Sequence, residues 1–163
     1  MPSSNILSGQ NQLAVAKDAG YSFQSVSTNT NALLETPMIL IKNASLTKLM
    51  NWLEFHYSGN TLSNVQTTVV RIYKDPVITA NGAGIAVVPM RNASAPSAMQ
   101  IFQSPTIIFN GVLIYSIVMN FQGVSIPCDL AKIMIEAGDN FLVTFQANQA
   151  NQPANFGASW IEA

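Results

Sequence analysis

Two stretches of this chain follow one pattern, and that repetition limits the possible folds more than any other feature. Asp75-Pro76-Val77-Ile78-Thr79-Ala80-Asn81-Gly82-Ala83-Gly84-Ile85-Ala86-Val87-Val88-Pro89-Met90 aligns with residues 104–119 at an offset of 29, with Pro, Ile, Asn, Gly, Ile and Met at matching positions. Each copy reads as a strand, an Asn-Gly turn (Asn81-Gly82, Asn110-Gly111) and a second strand. Asn-Gly is a strong hairpin signal because a type I′ turn needs positive φ at both central residues. Two copies are too few for a solenoid. The expectation is a pair of local hairpins inside one β domain.

The remaining apolar runs are also short. Tyr21 to Ser27 alternates large apolar with small polar residues, the mark of a half-buried strand. Pro37 to Lys42 is a continuous apolar run suited to burial on both faces. Asn64 to Lys74 is rich in β-branched residues. Ser45 to Tyr57 is ambiguous: Leu46, Leu49, Met50 and Leu53 have helical spacing, whereas Trp52 to Tyr57 is aromatic-rich and alternating. A turn at 43–48 and a strand at 50–57 is the reading adopted. Met90–Ser104 and Ala147–Asn155 read as loops. Leu130–Gln146 reads as a closing hairpin around Gly138 and Asp139, with Phe141, Val143 and Phe145 on one face of the outgoing strand. Trp160 anchors a last strand. Eight to ten short strands at regular spacing predict an all-β antiparallel sandwich, one domain over 21–163, with 1–20 as an arm or first edge strand.

Only 9% of the 163 residues are charged and the net charge is −1. Asn (16), Gln (10), Ser (15) and Thr (10) replace them as a neutral polar coat. Nucleic acid and anionic membranes are therefore not expected as partners, since both are met with basic surface. A coat so poor in charge suits a surface covered by neighbours in an assembly, because a free monomer usually keeps charge for solubility. There is neither a basic n-region nor an apolar h-region at the N-terminus, so no secretory signal is expected. The single Cys128 excludes an internal disulfide and a Cys-based metal cage.

Groups that could do chemistry are sparse. His56 is the single histidine, and on a strand it shares a face with Glu54 and Trp52. A carboxylate–imidazole pair could move a proton or bind a metal, but two such residues alone are a common polar face. The acids Glu136 and Asp139 flank a turn that accounts for them. Asn81-Gly82-Ala83-Gly84 lacks the strand-to-helix setting of a phosphate loop. Lys42, Lys48, Arg71, Lys74 and Arg91 form no basic stripe. No catalytic, cofactor or metal site is expected.

Three segments together resemble a known group: Ile72 to Gly82, the turn Glu136 to Val143, and the terminal Trp160-Ile161-Glu162. They are similar to small β-sandwich, jelly-roll-like structural proteins of tailed bacteriophage particles, over residues 37–162. The resemblance implies a non-enzymatic virion protein, assembled in the host cytoplasm. It would decorate or cement a capsid as a homo-oligomer, often a trimer, against the major capsid or another virion protein. A receptor- or glycan-binding module of a fibre or baseplate is the alternative, with exposed aromatics expected at 43–48, 91–104 or 147–155. A small hydrolase is disfavoured by the lone histidine.

Overall fold

The computed structural model describes residues 20–30, 34–47, 50–59, 66–90, 96–121, 126–128, 134–148 and 151–162, with the side chains of 51–59, 66, 119–121, 126–128 and 152 excepted. The described residues form fifteen strands: β1 (Gly20–Gln24), β2 (Thr28–Thr30), β3 (Thr36–Asn43), β4 (Met50–Gly59), β5 (Gln66–Lys74), β6 (Val77–Ala80), β7 (Ala83–Ile85) and β8 (Val88–Pro89), then β9 (Met99–Gln103), β10 (Thr106–Phe109), β11 (Val112–Phe121), β12 (Ile126–Cys128), β13 (Met134–Ile135), β14 (Asn140–Ala147) and β15 (Gln152–Glu162). All pairings are antiparallel. One sheet runs β12-β4-β15-β1-β8, with β13 on β4 and β2 on β15; the other runs β11-β5-β14-β3-β9-β7; β6 and β10 form a separate ribbon.

The two sheets close on one hydrophobic core. Phe141, Val143 and Phe145 enter it from β14, Ile39 and Ile41 from β3, Val70 and Ile72 from β5. The seven-stranded sheet supplies Tyr21, Phe23, Phe156 and Trp160. Trp160 is fully buried and stacks on Tyr21 with ring centroids 6.0 Å apart. The expected anchors Phe141, Val143, Phe145 and Trp160 therefore all stand in the core, each contributing roughly 1.5–3 kcal/mol or more by burial.

The repeated segments do not form local hairpins. β6 pairs with β10, β7 with β9, and β11 with β5. Each copy's second strand thus lies against the strand that precedes the other copy. The registers repeat with the sequence offset: Ala83↔Gln103 and Gly84↔Phe102 on one side, Val112↔Lys74 and Leu113↔Tyr73 on the other. The entry turns match too. Asp75 (φ 55°) donates its N–H to the Asn140 carbonyl at 2.9 Å, and Ser104 (φ 53°) donates to Met38 at 2.9 Å. The six-stranded sheet therefore has a pseudo-two-fold axis through the register pair Leu40↔Leu142.

Asn81 and Asn110 do not adopt positive φ, whereas Gly82 (90°) and Gly111 (99°) do, so neither turn is type I′. A β-carbon on Gly82 would collide with the Gln103 carbonyl and lie 2.9 Å from Ser104 C and O. One on Gly111 would collide with the Lys74 carbonyl and lie 2.9 Å from Asp75 C. The glycines let each copy pass against the backbone of the other copy's entry turn. β6 starts beside Asn140 on β14 and ends beside Ser104, which is bonded to β3, so the ribbon crosses the two central strands. Their inner face is filled by the other sheet, so the crossing is on the outer face. It explains why Leu40 and Leu142, absent from the common core, are fully buried. Ile78 and Ile107, paired in register and half-buried, supply the inward side of the ribbon.

Other expectations are corrected in the same way. The closing hairpin does not form: β13 pairs with β4, and β14 lies between β3 and β5. Its turn is real, with Gly138 at φ 83° and the Asp139 N–H bonded to the Glu136 carbonyl, but long-range strands outcompete the local partner. Met99–Gln103 is a strand inside the supposed loop 90–104, since Met99, Ile101 and Gln103 alternate inward. Gln152–Asn155 belongs to β15 rather than to a polar loop. The strand reading of 50–57 stands, as β4. Residues 1–19 lie outside the described residues.

Gly82→Ala and Gly111→Ala are each expected to destabilise by about 1–3 kcal/mol, because both strain and collision apply. Gly84→Ala, which meets nothing within 4 Å, is expected to be near neutral. Urea midpoints of the three variants test this; equal midpoints would refute the reciprocal crossing.

Candidate interaction surface

The outward side of the ribbon carries large apolar side chains beside Thr79 and Thr106. Val77 is 49% exposed, Ile108 74% and Phe109 60%. The surface continues onto β11, where Val112, Leu113 and Ile114 are all exposed. They are neighbours: Phe109 is opposite Val77, and Val112 is opposite Lys74, three residues before Val77. A register shift between Leu113 and Tyr115 bulges Ile114 and interrupts the alternation, so three successive large side chains face solvent. Between Asp75 and Asp129 the chain carries one charged residue, Arg91. These large exposed apolar side chains, close in sequence and in register on the ribbon and the adjoining edge strand, make this region the candidate interaction surface.

One end of the ribbon is pinned by a polar cluster. Glu35 accepts hydrogen bonds from the Tyr73 hydroxyl (2.9 and 3.0 Å) and from Asn110 Nδ2 (2.5 Å), and is paired with Arg71. Arg71 also donates to Gln146 at 3.0 Å. Arg71 and Tyr73 alternate with the core residues Val70 and Ile72, so both stand on the outer face. Thus Asn110, read from sequence only as a turn residue, ties the Asn-Gly corner to the segment leading into β3. At the other side of β5, Lys74 forms an ion pair with Asp139 at 2.8 Å. Asp139 therefore does more than flank a turn.

Neutral and singly charged side chains join the sheets. Gln103 Oε1 accepts from the Val26 N–H (3.0 Å), while its Nε2 donates to the Val26 carbonyl (3.0 Å) and to Thr28 Oγ1 (2.5 Å). Glu162 receives the Ala98 N–H (3.1 and 3.0 Å), the Trp160 indole N–H (3.2 Å) and the Ser97 hydroxyl. Neither role shows in the local sequence. The signal available was the long uncharged stretch, which separates the outward apolar surface from an ordinary strand.

Glu54 and His56 lie on β4, opposite Ser159 and Gly157 of β15, and their side chains are outside those described. Among the described residues no group of three or more His, Cys, Asp and Glu could hold a metal ion.

No family model and no curated protein matches this chain. A chain of the IBDV viral particle is a structural neighbour at 9% identity and a TM-score of 0.18, over 89% of this chain and 39% of that one. This chain thus spans less than half of that neighbour's length, and a likeness of that size carries no argument.

Two groups of the pinned corner give a pH dependence. Burial, and then the hydrogen bond to Glu35, hold the Tyr73 hydroxyl above its ordinary value of 10.0. The hydrogen bond to Asp139 raises Lys74 above 10.5. With folded values above unfolded ones, the folded chain binds more protons in this range. Their stabilisation is complete below about pH 10 and is lost as pH rises through the raised values. The urea midpoint is expected to hold from pH 7 to 9 and to fall by pH 11, and Tyr73→Phe is expected to make that fall shallower. An unchanged slope in Tyr73→Phe would refute the assignment.

Proposed function

We propose that this protein is a non-enzymatic structural subunit of a virion, of the capsid decoration or cement kind, which binds a shell protein and its own copies through neutral surface. The observation that carries the reading is the uncharged apolar face of the β6–β10 ribbon and the start of β11. Such a face offers nothing for charge recognition, so its partners are apolar and neutral polar protein surfaces rather than nucleic acid. The resemblance of the Ile72–Gly82, Glu136–Val143 and Trp160–Glu162 segments to jelly-roll-like phage structural proteins supports the same reading, and a trimer is the favoured assembly. Neutral contacts also make the assembly insensitive to salt, because screening acts on charges.

The receptor- or glycan-binding alternative has less support. Within 43–48, 91–104 and 147–155 the single aromatic residue is Phe102, half-buried on β9. A hydrolase would rest on Glu54 and His56.

Sedimentation of the purified protein is expected to show a concentration-dependent species larger than a monomer, unchanged between about 0.05 and 0.5 M salt. Ile108→Asp and Val112→Asp are expected to shift it towards monomer at least tenfold in concentration, with stability within about 0.5 kcal/mol of the parent because both sites are exposed. His56→Ala and Glu54→Gln are expected to assemble as the parent does. A parent that stays monomeric at about 0.1 mM, or aspartate variants that assemble unchanged, would overturn the proposal.

A further inference from the structure

The edges of the two main sheets are not closed alike. An open strand edge carries unpaired backbone N–H and C=O groups and invites pairing with another chain, so folded proteins keep such edges short or guard them with proline or charge. β7, at one side of the six-stranded sheet, has three residues. In the other sheet β12 has three residues around Pro127, and β8 has two and includes Pro89. β11 is the exception. It has ten residues and pairs with β5 on one side, and among the described residues no strand pairs with its other side.

Composition does not guard this edge either. Val112–Phe121 contains no charged residue and no proline. The bulge between Leu113 and Tyr115 disturbs only its start, and from Tyr115 to Phe121 the register with β5 runs without a shift. That regular stretch is roughly 23 Å long. Val118, 61% exposed, stands at its midpoint. On the inner side Tyr115 and Ile117 pack against the core yet are half-buried, whereas their register partners on β5, Ile72 and Val70, are fully buried. A further strand beyond β11 would complete their cover. The nearest charge is already matched, since Arg71, opposite Ser116, is paired with Glu35.

We propose that β11 pairs with β11 of a second copy, antiparallel about a two-fold axis at Val118, so that the six-stranded sheet continues into that of the partner. A strand opposed to itself is an isologous contact, in which the same patch serves both copies. Such a contact sets like residues near one another, and like charges placed opposite are destabilising. A strand without charge meets its own copy with no such cost. Centring the pair on Val118 uses all of the regular stretch and leaves the bulge outside it. Main-chain hydrogen bonds supply the affinity, as in other strand additions. The inference rests on the reading that this chain assembles with its own copies, and it adds a contact distinct from the ribbon.

Cysteine cross-linking of the full chain tests it, with linkages mapped by mass spectrometry so that Cys128 is accounted for. In this register the Cα atoms of the two Val118 residues are about 4.5–5.5 Å apart, within disulfide reach. The two Ser116 residues are roughly 13 Å apart and beyond it. Under mild oxidation Val118→Cys is expected to link to its own copy at least tenfold faster than Ser116→Cys. Val118→Lys, at an exposed site, is expected to keep the parent urea midpoint and to weaken self-association at least tenfold, whereas Val118→Thr leaves it unchanged. Equal linking rates, or a Val118→Lys variant that associates as the parent does, would overturn the proposal. Failure of the ribbon reads differently: Ile108→Asp would assemble unchanged while Val118→Cys still links, which supports the edge contact. Dissociation of Ile108→Asp with no Val118→Cys link would leave the ribbon standing and sink the edge.

Discussion

The reciprocal crossing of the two 16-residue copies, offset by 29 residues, over Leu40 and Leu142 is the constraint on which the rest of the fold depends. Neither copy can complete itself, because the second strand of each finds its partner in the strand that precedes the other. The corner of one copy rests on the entry turn of the other through Gly82 and Gly111, where any side chain would strike a carbonyl. The ribbon then buries the outer side of the central strand pair, so β3 and β14 are covered on both faces. This explains why Pro37–Lys42 and Phe141–Phe145 read as continuous apolar runs instead of alternating ones. A structure made of such distant pairings has high contact order, which favours cooperative and comparatively slow folding.

With so few charges available, the connections that other domains make by ion pairs are made here by amides, hydroxyls and backbone groups. Gln103 acts as a short strand partner for Val26 and so ties the six-stranded sheet to the seven-stranded one. Glu162 gathers a backbone N–H, an indole and a hydroxyl, and thereby fixes Ser97 and Ala98 to the last strand. Hydrogen bonds to a charged acceptor contribute about 1.5–3 kcal/mol each, more than an exposed ion pair does. Arg71–Glu35 and Lys74–Asp139 are placed where the ribbon leaves and returns to the sheet, so these two ion pairs hold the corners of the crossing.

The sequence was most legible where local chemistry and final position agree. Turn glycines, the inward face of Phe141, Val143 and Phe145, and the burial of Trp160 could all be inferred from period and residue type, and they follow from the backbone alone. Partner choice was not legible. Asn81-Gly82 and Asn110-Gly111 signal a corner, but whether the outgoing strand pairs with the incoming one depends on what else competes for its edge. Here Lys74 and Gln103 bring better edges. The same applies to Met134-Ile135, which turns toward β4 rather than β14. Loop readings failed at Met99–Gln103 and Gln152–Asn155 because small and amide-bearing residues resemble turns in composition, while their alternation was the truer signal. The Glu35 cluster could not have been foreseen, as its members come from four distant segments joined by the β3-β14-β5 ladder and by the crossing.

The outward apolar face is a consequence of the crossing as well as a candidate site. A two-stranded ribbon laid on a sheet has one side to bury, and Ile78 and Ile107 satisfy that side. Burial therefore places little demand on Ile108, and less on Val77 and Phe109 than on the inward pair. In copy one the outward positions already include Thr79 and Ala80, so polar or small residues are sterically acceptable there. Large apolar residues exposed where the fold does not require them lower solubility and invite non-specific association. The proposed assembly would account for their presence. In that assembly the neutral polar coat elsewhere would have a matching role: it would keep the remaining surface from competing for the contact without adding charges that tie it to ionic strength.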